Sequence, residues 1–138
     1  MIAFADTSAL FALVDRRNPA HAAVARAYDQ LEAEATVLAT TNYILLETFA
    51  LLQRRLGLDA AREFAQRIVP LMEVHWVSPE DHDAGVSAAL AGNRRDLSLV
   101  DCISFAVMRR MGLSHAFAVD EHFREQGFDC LPAQRPRK

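Results

Sequence analysis

Lysine is nearly missing from this 138-residue chain: the only one is Lys138, the last residue. No acid elsewhere in the sequence therefore has a lysine nearby to pair with it. Cysteine is scarce too. Cys102 and Cys130 stand far apart without ligand spacing, which excludes a cysteine-built zinc site. Cys102 lies in an apolar stretch and reads as a small buried hydrophobe. The histidines, His21, His75, His82, His115 and His122, are scattered, form no HExxH pair, and are expected to contribute little to a site. There is no glycine-rich phosphate loop, no GxGxxG and no GxSxG elbow. No apolar run is long enough to span a bilayer. No basic segment precedes an apolar one at the start, so no signal peptide is expected and the expected compartment is cytoplasmic. The net charge of -3 gives no general attraction to nucleic acid, so such a role must rest on local features.

What is present is a normal globular balance, 51% hydrophobic and 24% charged, which excludes a disordered chain. Within it, four acids sit among apolar neighbours. Asp6 ends the run from Ile2 to Ala5. Glu47 lies in a helical pattern with Ile44, Tyr43, Ala50 and Leu51 at three or four residues' distance. Asp101 is the only charge between Leu97 and Met108. Asp120 ends the run from Ala116 to Val119. An ionised carboxylate in apolar surroundings is costly unless paired or bound to a metal. Four converging acids would carry about four negative charges and require divalent cations. Oxygen ligands alone favour Mg²⁺, with Mn²⁺ as a substitute, over zinc. The pattern is that of a metal-dependent site handling phosphate.

The order of elements supports such a convergence. Strands are expected over Ile2–Ala5, Thr36–Thr40, Glu73–Val77 and Ala116–Val119, with Phe128–Leu131 as a fifth at an edge. Helices are expected over Ala9–Asp15, from Asn18-Pro19 to Glu34, from Thr41 or Asn42 to a stop at Gly57, from Asp59 to near Pro70, from Ser78-Pro79 to Ala91, and from Ser98 to Met111. Apolar strands alternating with helices indicate a parallel sheet covered on both faces, and such sheets bind ligands beyond the carboxyl ends of their strands. Asp6 and Asp120 fall there. No repeat or linker divides the chain, so one domain over 1–131 is expected, followed by a basic tail over 132–138.

Each acid also has a purely local reading. Asp6 fits a cap at a strand-to-helix turn, Ser98-x-x-Asp101 a capping box, and Asp120 a cap for a helix over Glu121–Gln126. Only Glu47 has no such role. The arginines, many in pairs such as Arg94-Arg95, suit phosphate contact and equally suit a solvated helix face.

Four segments together resemble the PIN-domain ribonucleases: Asp6-Thr-Ser-Ala-Leu, Thr40-Thr-Asn-Tyr-Ile-Leu-Leu-Glu47, Arg95-Asp-Leu-Ser-Leu-Val-Asp-Cys-Ile-Ser104 and Val119-Asp-Glu-His-Phe123. They stand in that family's order and span nearly the whole chain. The resemblance implies a three-layer α/β/α fold around a parallel sheet of four to five strands. It implies a Mg²⁺-dependent endoribonuclease in which Asp6, Glu47, Asp101 and Asp120 are catalytic and hold metal, with Asp96 as a fifth acid. A compact, free-standing version is similar to the virulence-associated protein C toxins of type II toxin–antitoxin pairs. Such a protein would be a homodimer held inactive by a cognate antitoxin and would act on tRNA, rRNA or mRNA. An RNA-maturation nuclease or a catalytically silent PIN-like binding module would share the same motifs. Thr7, Ser8, Asn42 and Ser104 are candidates to support the metal's ligands, and Arg94 and Arg95 to contact backbone phosphate. A phosphoacceptor receiver domain also gathers aspartates at strand ends, but it needs a lysine near the last strand, which is absent here.

Overall fold

The computed structural model describes residues 1–133; the expected basic tail over 132–138 lies outside the described residues from 134 onward. Five parallel strands form one sheet in the order β3-β2-β1-β4-β5: β1 (Ile2–Ala5), β2 (Val37–Thr41), β3 (Glu73–His75), β4 (His115–Phe117) and β5 (Asp129–Leu131). The chain steps outward from β1 through β2 to β3, then returns to lay β4 against the other side of β1. With right-handed crossovers, α1 (Thr7–Val14), α2 (His21–Ala33), α3 (Asn42–Arg55) and α4 (Leu58–Glu63) cover one face. α5 (Pro79–Gly92), α6 (Leu99–Met111) and α7 (Glu121–Glu125) cover the other. The reversal of direction between β1 and β4 is the crevice where open α/β sheets take ligands.

Most boundaries follow from local chemistry. Thr41, Ser78 and Ser98 cap α3, α5 and α6 through their hydroxyls. Gly57, at φ 98°, takes the backbone past the end of α3 where a side chain would be strained. Two helices differ from expectation. Asn18 does not cap α2; its side chain accepts the Ala20 amide at 2.9 Å in a local turn, and the helix begins at His21. The helix expected from Asp59 to near Pro70 is α-helical only to Glu63. It continues as a wide turn over Phe64–Ile68 and a tight one over Val69–Leu71, where Pro70 has no amide to donate.

The core lies on both faces of the sheet. Phe4 and Phe117, both fully buried, fill its centre. On the α6 side, Phe105 meets the edge of Phe123 at 5.0 Å between ring centroids, and Phe123 also stacks over Phe4 at 6.3 Å. Burial of Phe123 fixes the short α7 on the sheet. Gly85 lets α5 lie directly on α6, because a Cβ there would come within 3.0 Å of the Ile103 Cα. That contact sets the position of α6, and with it Asp101. Both cysteines are buried and free. Among the described residues, no helix is long and apolar enough to cross a membrane.

Candidate metal centre

Three of the four acids hold helix starts as well as facing the crevice. Asp6 caps α1, its Oδ2 accepting from the Ser8 amide at 3.1 Å and the Ser8 hydroxyl at 2.6 Å. Asp101 and Ser98 form a reciprocal capping box at the start of α6. Asp120 caps α7 by accepting the His122 amide at 3.0 Å. The local readings are therefore correct as far as they go. Capping fixes the backbone of each acid, and the helix starts carry partial positive charge that favours carboxylates. Glu47 enters from the second turn of α3, half-buried. Thr48, the next residue, donates to the Thr7 hydroxyl at 3.0 Å, which ties this turn of α3 to the start of α1.

The structure brings these acids close enough to repel one another. Asp6, only 3% exposed, has its carboxyl pushed up to about 7, chiefly by burial. The Ser8 bonds oppose the shift, and the charges of Asp101 and Glu47 add to it. Glu47 is raised by burial, against the influence of the Thr7 side chain, and further by Asp101 and Asp120. Asp101 is raised by burial and by Asp120, partly offset by His122 and the Ser98 amide. Among the described residues no arginine lies within ion-pair distance of the four. A crowded carboxylate set with its proton affinity raised and no arginine beside it fits a divalent ion.

Ser8 joins two of the acids. Its hydroxyl donates to Asp6 and accepts the backbone amides of Val119 at 2.9 Å and Asp120 at 3.2 Å. One oxygen thus holds the ends of β1 and β4 in register beyond the last ladder bond.

The other expected residues divide. Asp96 is exposed on the loop before α6 and gripped by Arg94, whose Nε and a terminal nitrogen meet its two oxygens at 3.0 and 2.6 Å. That pairing lowers the Asp96 carboxyl below its ordinary range. Arg94 also reaches Glu125 at 3.2 Å, so its guanidinium is committed to carboxylates; Arg95 is exposed. The Asn42 side-chain oxygen accepts the Val77 amide at 2.8 Å and fastens the end of β3. Ser104 is fully buried one turn beyond Asp101, its hydroxyl without a hydrogen-bond partner among the described residues.

Sequence reasoning missed His122. Its Nδ1 lies 3.2 Å from both Asp101 Oδ2 and Asp120 Oδ1, and its Nε2 lies 3.5 Å from Asp96 Oδ2. One ligand atom each from Asp101, Asp120 and His122 fall within 4.8 Å of one another. Burial disfavours the charged ring, but Asp120, the Asp101 bond and Asp96 together raise its pKa above the ordinary value. The signal in the sequence was the Asp120-x-His122 spacing, since a capping acid lies beside the residue whose amide it accepts.

The model of the PIN domain family matches residues 3–129. The chain is 33% identical over 126 residues to the 23S rRNA-specific endonuclease VapC20 of two Mycobacterium tuberculosis strains, across 91% of this chain and 94% of the relative. The crystal structure of M. tuberculosis VapC20, described as a sarcin-ricin loop cleaving toxin, superposes with a TM-score of 0.81 at 35% identity, covering 93% of this chain and 96% of that one. VapBC2 from Rickettsia felis, bound to a DNA fragment from their promoter, has a TM-score of 0.69 at 9% identity, over 94% of this chain and 97% of that one. FitAcB from Neisseria gonorrhoeae has a TM-score of 0.64 at 17% identity, over 94% and 96%. The last two share the fold.

Proposed function

This chain belongs to the PIN domain family, and we propose that it is a metal-dependent endoribonuclease that hydrolyses phosphodiester bonds of ribosomal RNA as the toxin of a type II toxin–antitoxin pair. The observation that carries the reading is the set of mutually repelling carboxylates at the β1–β4 crevice, with no arginine in ion-pair distance of the four acids among the described residues. The relatives named for cleaving 23S rRNA supply the substrate class. Mg²⁺ is the ion proposed, with Mn²⁺ able to replace it.

Asp101 and Asp120 would hold the ion from the starts of α6 and α7. Asp6 would face it through Oδ1, because Ser8 takes up Oδ2 twice. Glu47 would close the set from the opposite helix layer. A divalent ion there supplies Lewis acidity toward a phosphodiester and toward the water that attacks it. The burial of Asp6 and Asp101 keeps bulk water from screening the charge they present.

The partners proposed are a second copy of the chain and an antitoxin. The helices over 19–34 and 59–69 are rich in Ala, Val, Leu and Phe. None of the exposed large hydrophobic residues lies on either; Leu46 at 73% and Phe49 at 37% lie on α3 and flank Glu47, and Leu56 and Leu58 follow at its junction with α4. A patch of that kind beside a site suits a protein partner. The proposed compartment is the cytoplasm, where ribosomes are found.

The test uses the purified chain and intact ribosomes. Cleavage of the large-subunit RNA should require Mg²⁺ or Mn²⁺, stop with EDTA, and fall by ~10²-fold or more in Asp6→Asn and Asp101→Asn. Undiminished cleavage in EDTA, or in both variants, refutes the mechanism. A small protein from the adjacent gene should co-purify with the chain and restore growth; failure of both leaves an RNA-maturation nuclease instead.

A further inference from the structure

We propose that His122 is itself a ligand, through Nδ1, of the divalent ion held by Asp101 and Asp120, with Asp96 orienting the ring from its other nitrogen, so that Mn²⁺, when it replaces Mg²⁺, gains a nitrogen donor that Mg²⁺ uses poorly. The proposal rests on the metal-centre reading above and adds to it a donor of a different element.

Geometry comes first. Two ligands about 2.1 Å from one ion and at right angles to each other are about 3.0 Å apart. The Nδ1 of His122 stands 3.2 Å from one oxygen of Asp101 and 3.2 Å from one oxygen of Asp120. Those are the separations of neighbouring ligands around a single ion. The ring is also held: its backbone amide is bonded to Asp120, and the adjacent Phe123 is fully buried.

Second, a carboxylate stands near the far side of the ring. A metal-binding histidine turns its non-ligating nitrogen toward a carboxylate, which selects the tautomer and raises the basicity of the ligating nitrogen. Asp96 Oδ2 lies 3.5 Å from Nε2. Asp96 is held in turn by the two-pronged grip of Arg94, which also reaches Glu125 at the end of α7. The series Arg94–Asp96–His122 thus braces the ring from the exposed rim inward. It gives the fifth acid a role as a positioning residue, and it accounts for the commitment of Arg94 to carboxylates.

Third, donor chemistry sets the selectivity. Mg²⁺ is satisfied by oxygen and water and gives up water reluctantly. Imidazole suits first-row transition ions. One nitrogen in an otherwise carboxylate set shifts preference toward Mn²⁺ and, more strongly, Co²⁺.

Binding of Mn²⁺ to the full chain at pH 8 is followed by the electron paramagnetic resonance of free Mn²⁺, with Mg²⁺ affinity measured by competition. His122→Ala should weaken Mn²⁺ ~10-fold or more and Mg²⁺ by much less, and Asp96→Asn should weaken Mn²⁺ several-fold. Electron spin-echo spectra of the wild-type Mn²⁺ complex should carry nitrogen modulation that His122→Ala removes. Spectra without nitrogen modulation, or an equal loss of both ions in His122→Ala, overturn the assignment. Asp101→Asn separates the two levels. If it leaves Mn²⁺ affinity unchanged, the metal centre itself is wrong; if it abolishes binding while His122→Ala leaves Mn²⁺ affinity unchanged, only the histidine ligand is wrong.

Discussion

Replacing Asp6 by asparagine should stabilise the metal-free protein at alkaline pH and leave it little changed in acid. The Asp6 carboxyl titrates near 7 in the folded state against an ordinary 3.8. The sign follows from proton binding: a carboxyl with a raised folded value adds stability that is full below about 3.8 and is lost as pH rises through about 7. At ~1.4 kcal/mol per pH unit, the whole window is worth roughly 4 kcal/mol. Between pH 5 and pH 8 the wild type should lose roughly 2.5 kcal/mol from this group alone. Asparagine keeps an oxygen for Ser8 and does not titrate. Urea unfolding in EDTA at the two pH values measures the difference directly. The gap between variant and wild type should widen by about 2 kcal/mol or more at pH 8, a midpoint shift on the order of 5–10 °C in thermal scans. Mg²⁺ should close much of the gap at pH 8, because binding to the folded form stabilises only the protein that retains the site, by ~2.7 kcal/mol at a hundredfold excess over Kd. Stability curves that run parallel from pH 5 to pH 8 would refute the reasoning, because Asp6 would then be no worse placed in the folded chain than in the unfolded one.

Ser8→Ala removes the donor to Asp6 and the acceptor of two amides; it should cost about 1–3 kcal/mol in urea unfolding and weaken Mn²⁺ binding, whereas Ser8→Thr should retain most of both. Gly85→Ala drives a methyl into Ile103 and should lower stability by about 1–3 kcal/mol through displacement of α6, with loss of cleavage following the loss of fold; an unchanged unfolding midpoint would contradict the close helix contact. Leu46→Glu together with Phe49→Glu should convert a dimer into a monomer in sedimentation velocity at micromolar concentration; a wild type that already sediments as a monomer counts against the α3 patch as the self-association surface.

Much of the fold was legible because its determinants are local. Apolar runs ending in Asp6 and Asp120 marked buried parallel strands, and Thr41, Ser78 and Ser98 marked helix starts by side-chain chemistry acting over three residues. The start of α2 was misread for an equally local reason: Asn18 has a competing bond to the Ala20 amide, and nothing in the composition ranks the two. The four acids stood out by their apolar surroundings, which are visible in sequence. His122 did not, because its partners Asp96 and Asp101 lie more than twenty residues away, and its weight comes from their convergence. Arg94 shows the same limit. Its pairing with Glu125, 31 residues on, turned a residue that looked free for phosphate into a brace.

The hydroxyl of Ser8 has a consequence in time as well as in space. It binds Asp6 near the start of the chain and accepts the amides of Val119 and Asp120 near its end. During synthesis, the segments bearing Asp6, Glu47 and Asp101 all emerge before that of Asp120, and domains fold as units once enough of the chain is available. The centre therefore closes only when β4 takes its place beside β1, after the segments of the other three acids have been made. A chain cut short before residue 119 would carry three of the four acids and still lack the crevice, the cap of α7 and the imidazole. For an enzyme proposed to attack the machinery that is making it, the order of residues along the chain delays assembly of the centre until the segment bearing Asp120 has emerged.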